Sequence, residues 1–231
     1  MSISVLRPAR FLLMSLCLAA SSAMALSLAE LTNKDATSGL KAALEVGSAA
    51  AVAKLGVTDG FLKNEKVKIQ LPPMLEQARP LLNMTGRGRQ LDELVVAMNR
   101  AAESAVSMAK PLLLNAVKSM SVNDAKKILG GGDTSVTDFF RDKTSAQLAE
   151  KFLPIVKNMT DRSDLSTRYN HVMGQAAKFG LMQEQSTVEG YVTQRALDGL
   201  FTMIAEEEKA IRRDPIGTGS KIIGKVFGAL N

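Results

Sequence analysis

Cysteine, histidine and tryptophan are nearly absent from this 231-residue chain, which has one cysteine, Cys17, one histidine, His171, and no tryptophan. A lone thiol makes no internal disulfide, and one cysteine with one histidine falls short of the ligand sets of common metal sites. Aromatic residues make up only 4% of the chain, which leaves little for stacking nucleic-acid bases. Long apolar runs are missing too: the run at residues 11–20 is shorter than the about 20 residues a membrane-spanning helix needs. What is present, 46% hydrophobic and 23% charged residues, is the balance of a globular chain rather than a disordered one.

The first 25 residues have the three-part layout of an export signal. Arg7 and Arg10 supply the positive start, residues 11–20 the apolar centre, and Ala23-Met24-Ala25 a small-x-small cleavage pattern. The expected mature chain begins at Leu26 and is periplasmic. Retention as an anchor would need a longer apolar run, and lipidation at Cys17 is opposed by Leu16, where a small residue is required. Cleavage leaves 231 − 25 = 206 residues, no cysteine, and a formal charge of (29 − 2) − 23 = +4. That length suits a single domain over 26–231. The mild surplus is spread along the chain without forming a stripe, so nucleic acid is not an expected partner.

Helical periodicity covers most of the mature chain. Thr32 or Asn33 can cap a helix running to about Leu55, with Leu40, Leu44, Val52 and Leu55 on one face and Gly47, Ala50 and Ala51 permitting close approach. Residues 66–71 alternate like a strand until Pro72-Pro73 stops them, yet no partner strand is evident; the segment reads as an extended connector across helices or an edge that pairs between molecules. A short helix is predicted from about Met74 and a long one from about Arg89 with an apolar stripe reaching Leu112, kinked or split by Pro111. Capping-box spacing in Ser121/Asp124, Ser135/Asp138 and Thr144/Gln147 predicts three further starts, the first helix closing at Gly130-Gly131-Gly132 and the last kinked near Pro154. Helices over 164–179, 188–213 and 219–230 complete the reading.

Five strings stand in order along this pattern: Gly39-Leu40-Lys41-Ala42-Ala43-Leu44, Val67-Lys68-Ile69-Gln70-Leu71-Pro72, Met98-Asn99-Arg100-Ala101-Ala102-Glu103, Asp124-Ala125-Lys126-Lys127-Ile128-Leu129-Gly130-Gly131 and Asp198-Gly199-Leu200-Phe201. With them the chain resembles the exported bacterial proteins grouped as domain-of-unknown-function family 4197, over residues 28–230. The resemblance implies a helical exported domain and brings no activity with it.

Enzyme machinery is hard to assemble from these residues. His171 has no Gly-x-Ser-x-Gly elbow to serve, and Gly217-Thr218-Gly219-Ser220-Lys221 lacks the spacing and preceding strand of a phosphate loop, so it reads as a turn leading into a helix. Gly130-Gly131-Gly132-Asp133 reads first as a helix end, with an anion nest as the alternative. Two polar groups remain. Asn99, Arg100 and Glu103 interrupt an apolar helix at spacings of three and four, either as a network setting helix register or as the polar floor of an apolar cleft. Glu207 and Glu208 fall between Ile204 and Ile211, so at least one carboxylate should face protein and need a cation, with Arg100 or Arg141 as the expected partner.

The sequence therefore predicts an all-α protein, an irregular bundle of about eight helices with one extended segment near 66–72. Its expected role is non-enzymatic binding of an apolar or amphipathic ligand or an envelope protein, through Asn99, Arg100, Glu103, Glu207 and Glu208. A hydrolase using Glu103, Glu207 and Glu208 is the alternative; neither cofactor nor metal is called for. The apolar face of 219–230 suits docking on the bundle and also a peripheral contact with anionic lipid.

Overall fold

Every fourth residue from Val136 to Thr160 is buried: Val136, Phe140, Thr144, Leu148, Phe152, Val156 and Thr160. Such a ladder needs one uninterrupted helix. The computed structural model, which describes residues 33–132, 134–162, 164, 166–171 and 187–228, supplies it as one of eight helices with defined limits. These are α1 (Asn33–Leu55), α2 (Pro73–Met84), α3 (Gly88–Ser107), α4 (Lys110–Ser119), α5 (Val122–Leu129), α6 (Ser135–Thr160), α7 (Val188–Arg213) and α8 (Lys221–Gly228). Residues 166–171 are helical as well. The export signal, Cys17, Thr32, Asp133 and the later part of the helix expected over 164–179 lie outside the described residues.

The ladder corrects one predicted boundary. No helix starts at Ser145; Thr144 lies inside α6, and its hydroxyl donates to the Phe140 carbonyl at 2.6 Å. A buried hydroxyl satisfied within its own helix removes the reason for a break, and continuous burial on both sides outweighs the local capping pattern. Ser135 is no cap either, since its hydroxyl donates to the Ile128 carbonyl at 2.9 Å and ties the start of α6 to the end of α5. By contrast, Ser121 and Asp124 form a complete capping box, and α5 ends at Gly130. Pro111 splits the long helix: α3 stops at Ser107 and the proline occupies the first turn of α4, where its missing N–H costs nothing. Pro154 is accommodated within α6.

Helix α7 repeats the same device with Val188, Val192, Ala196, Leu200, Ile204 and Glu208, all buried. It packs on α6, α1 and α3, and the core between them is filled by Phe140, Phe152, Phe201, Leu94 and Met98. The other helices lie around this centre, α4 against α1 and α6, α2 chiefly along α3. Residues 56–72 contain turns and an extended stretch without strand pairing, and they carry Phe61, Val67, Ile69 and Leu71 into the core. Among the described helices none is long and apolar enough to cross a membrane.

Helix α8 docks on α1. Ile223, Val226 and Phe227 are buried, and the preceding turn is held by the Asp214 carboxylate, which accepts from the Gly217 N–H at 2.9 Å. The contact is close because α1 presents Gly39 there: a methyl at that position would stand 2.3 Å from Val226 Cγ2 and 2.9 Å from the Ile222 carbonyl oxygen. Alanine is intrinsically the better helix residue by about 1 kcal/mol, but overpacking against a neighbouring backbone costs about 1 to 3 kcal/mol. Gly39→Ala is therefore expected to lower the urea midpoint, despite its gain in helix propensity.

Candidate functional site

The extended segment solves its hydrogen bonding with side chains from α3. Asn99, fully buried, accepts the Ile69 N–H on Oδ1 at 2.9 Å and donates from Nδ2 to the Ile69 carbonyl at 2.9 Å and to the Val95 carbonyl at 2.8 Å. The carboxamide thereby does for Ile69 what a neighbouring strand would do. One turn on, Glu103 accepts the N–H groups of Phe61 and Leu62 on Oε1, at 3.1 and 3.2 Å, while its Oε2 accepts from Arg100 Nη1 at 2.7 Å. Arg100 Nη2 reaches Asp59 at 2.6 Å, and Lys63 closes on the other Asp59 oxygen at 2.7 Å.

This chain of charges fixes protonation. Hydrogen bonds from Lys63 and then Arg100 hold the Asp59 carboxyl below its ordinary value. Glu103 first, and Asp59 second, raise the Arg100 guanidinium above its own. Asp59 has φ = 70°, a left-handed conformation that a short polar side chain tolerates. Phe61, carried in by the same turn, packs on α7 where residue 199 has no side chain: a methyl there would lie 2.6 Å from the Phe61 ring.

The three residues flagged in α3 are thus brought together, but under the connector instead of in an open cleft. Asn99 and Glu103 hold backbone, and Arg100 links Glu103 to Asp59. Glu207 and Glu208 belong to a different place. Glu207 pairs with Lys54 of α1 at 2.5 Å, and Glu206 with Lys66 of the connector, which holds the Glu206 carboxyl below its ordinary value. Glu208 is the inward carboxylate, and its partner is Arg212 one turn along, with Nε and Nη2 at 3.0 and 2.9 Å from Oε1. The expected partners Arg100 and Arg141 are engaged elsewhere, Arg100 in the connector network and Arg141 at 3.6 Å from Asp198 and over the Phe201 ring. The physical reason is reach: residues four apart on one helix are adjacent, whereas a partner from another helix depends on packing. Arg212 also donates to Ser135 Oγ at 3.2 Å and lies 5.7 Å from the Phe227 ring, joining α7 to α6 and α8.

Beside Glu208 the core leaves a small cavity of about 20 Å³ lined by Ala43, Gly47, Val136, Phe140 and Phe227. That is room for one water molecule. A second depression runs on the surface between the extended segment and α7, lined by Lys66, Lys68, Ile69, Tyr191, Arg195 and Thr202 among others. Sequence reasoning missed this groove together with Asp59 and Arg212; the Thr58-Asp59-Gly60 turn and the i, i+4 pair Glu208/Arg212 are the signals that could have found the latter two. His171 is exposed on its helical turn.

The family model described as "protein of unknown function (DUF4197)" matches residues 30–228, and the chain belongs to that family. Neither the curated proteins nor the solved structures contain a match.

Removing the Glu103 carboxylate strands two connector N–H groups and leaves Arg100 with Asp59 alone. Glu103→Ala is expected to cost about 2 to 4 kcal/mol in urea unfolding, and Glu103→Gln, which keeps the Oε1 acceptor, roughly half as much. The Asp59 network adds a pH dependence. A carboxyl whose folded pKa is depressed contributes stability above its unfolded value, about 3.9, and that contribution is lost as pH falls through that value toward the folded one. Asp59→Asn, which keeps the left-handed turn, should be less stable than the parent at neutral pH, and the difference should shrink as pH falls through the ordinary carboxyl range toward the depressed folded value; urea midpoints across the acid range measure the convergence.

Proposed function

We propose that this DUF4197 protein is a non-enzymatic binding protein of the bacterial envelope, exported and trimmed after Ala25, whose partner is an envelope protein that lays an extended acidic segment along residues 68–72, beyond the turn that the Val67 and Lys68 N–H groups close on the Asn64 carbonyl. The observation carrying this reading is the free edge of that segment. Ile69 turns its N–H and carbonyl to Asn99, so in an extended chain the neighbouring residue turns its own backbone the opposite way. Gln70 N–H and carbonyl make no hydrogen bond among the described residues, and the side chain is exposed. An unpaired extended edge is a template for strand addition, with backbone bonds giving affinity and side chains giving choice.

Charge selects the partner's composition. The groove beside the edge carries Lys66, Lys68 and Arg195 against Asp198. Lys66 is held by Glu206 and Arg195 lies 3.7 Å from Asp198, while Lys68 makes no ion pair among the described residues. An acidic side chain opposite Lys68 would complete the set. The open, charged groove supports this reading over an enclosed apolar ligand, and the engagement of Glu103, Glu207 and Glu208 with cations or backbone donors supports it over the hydrolase.

Site-specific photocrosslinking in the exporting cell tests the proposal. A photoreactive residue at Thr202, across the groove on α7, should give one protein adduct that is absent with the same residue at Lys151 on α6. Lys68→Glu and Gln70→Pro should each reduce the adduct at least tenfold while the unfolding midpoint stays put, because proline keeps the extended conformation and removes only the unused N–H. An adduct indifferent to both changes, or equal from Lys151, overturns the assignment.

A further inference from the structure

Helix α2 buries little of its own apolar surface, whereas α3 beside it buries Leu91, Leu94 and Met98. In α2 only Leu75 is buried and Leu82 half-buried, while Leu81 and Met84 are 65% and 86% exposed. These two are three residues apart, so they share one face at the free end of the helix. Immediately beyond them the chain turns through Thr85 and Gly86, with the Arg87 N–H donating to the Leu82 carbonyl at 2.7 Å, and Arg87 and Arg89 follow on the same tip. Residues 81–90 contain two arginines and no carboxylate. The acidic residues lie back toward the base: Arg79 holds Glu76 at 2.8 Å and Asp92 at 3.0 Å, and Glu93 meets Arg89 only in a solvent-exposed pair at 3.2 Å. Arg87 makes no ion pair among the described residues.

We propose that this tip is a contact for an anionic lipid surface. Leu81 and Met84 would enter the boundary between headgroups and acyl chains while the Arg87 and Arg89 guanidinium groups meet lipid phosphates. The occupant is identified by the tip's shape and charge together. A protruding end with apolar side chains flanked by cations suits a planar surface that is apolar below and anionic above. The described part of the C-terminal helix, the other amphipathic candidate, turns Ile223, Val226 and Phe227 into the protein against α1. The inference is independent of the peptide groove, which lies along the connector and α7.

The absence of tryptophan gives a direct test in the full-length chain. Met84→Trp, Ile216→Trp and Leu153→Trp each introduce one indole at an exposed position, 86%, 80% and 43% respectively. With vesicles of phosphatidylglycerol and phosphatidylethanolamine, the Met84→Trp emission should shift to the blue and be quenched by brominated acyl chains. The Leu153→Trp and Ile216→Trp emissions should not change, and vesicles of phosphatidylcholine alone should leave all three unmoved. Adding Arg87→Gln and Arg89→Gln should weaken partitioning about tenfold to thirtyfold. An unshifted Met84→Trp, an equal shift on neutral vesicles, or a shift at Ile216→Trp in its place overturns the proposal.

Discussion

A chain segment outside helices and sheets can line a hydrophobic core only if other groups supply its hydrogen bonds. In this protein residues 57–71 do so under the control of two side chains one turn apart on α3. Asn99 serves both backbone groups of Ile69, and Glu103 serves the N–H groups of Phe61 and Leu62. With those bonds made, Phe61, Val67, Ile69 and Leu71 complete the core, and Gly199 of α7 fits against the Phe61 ring. The groove, the pairing of Lys66 with Glu206, and the approach of α7 to the connector all follow from where Asn99 and Glu103 hold the backbone.

Charge is used in the same way elsewhere in the fold. Three successive carboxylates on α7 reach three different places: Glu206 the connector, Glu207 the end of α1, and Glu208 its own helix, where Arg212 connects onward to α6 and α8. The exposed pairs contribute little individually. Glu208 is different, because a carboxylate within an apolar ladder requires its cation. Groups engaged in this manner position helices, and the two contacts proposed above draw on other groups, the Gln70 backbone and the residues around the α2–α3 turn.

Much of the architecture was legible because helix periodicity is a local property. The limits of α1, α5 and α7, the start of α2, the split at Pro111 and the grouping of Asn99, Arg100 and Glu103 all follow from spacings of three and four, from one capping box and from glycine and proline chemistry. The Thr144 boundary failed because a capping pattern is weaker than an apolar ladder that runs through it, and the ladder is recognised only once both flanks are seen to be buried. The partner of Glu208 was missed for the reverse reason: a nearby Arg212 was passed over for arginines distant in sequence.

The sequence by itself determined which stretches are helical, where an extended segment interrupts them, and which polar residues sit among apolar ones, since each is set by neighbours within a turn or two of the chain. Only the tertiary structure decided what those polar residues touch. Asn99 meets Ile69 across thirty positions, Glu103 meets Phe61 across forty-two, and Glu207 meets Lys54 across one hundred and fifty-three. Such contacts depend on how helices cross, and helix crossing is fixed by the packing of whole faces, which no local spacing encodes.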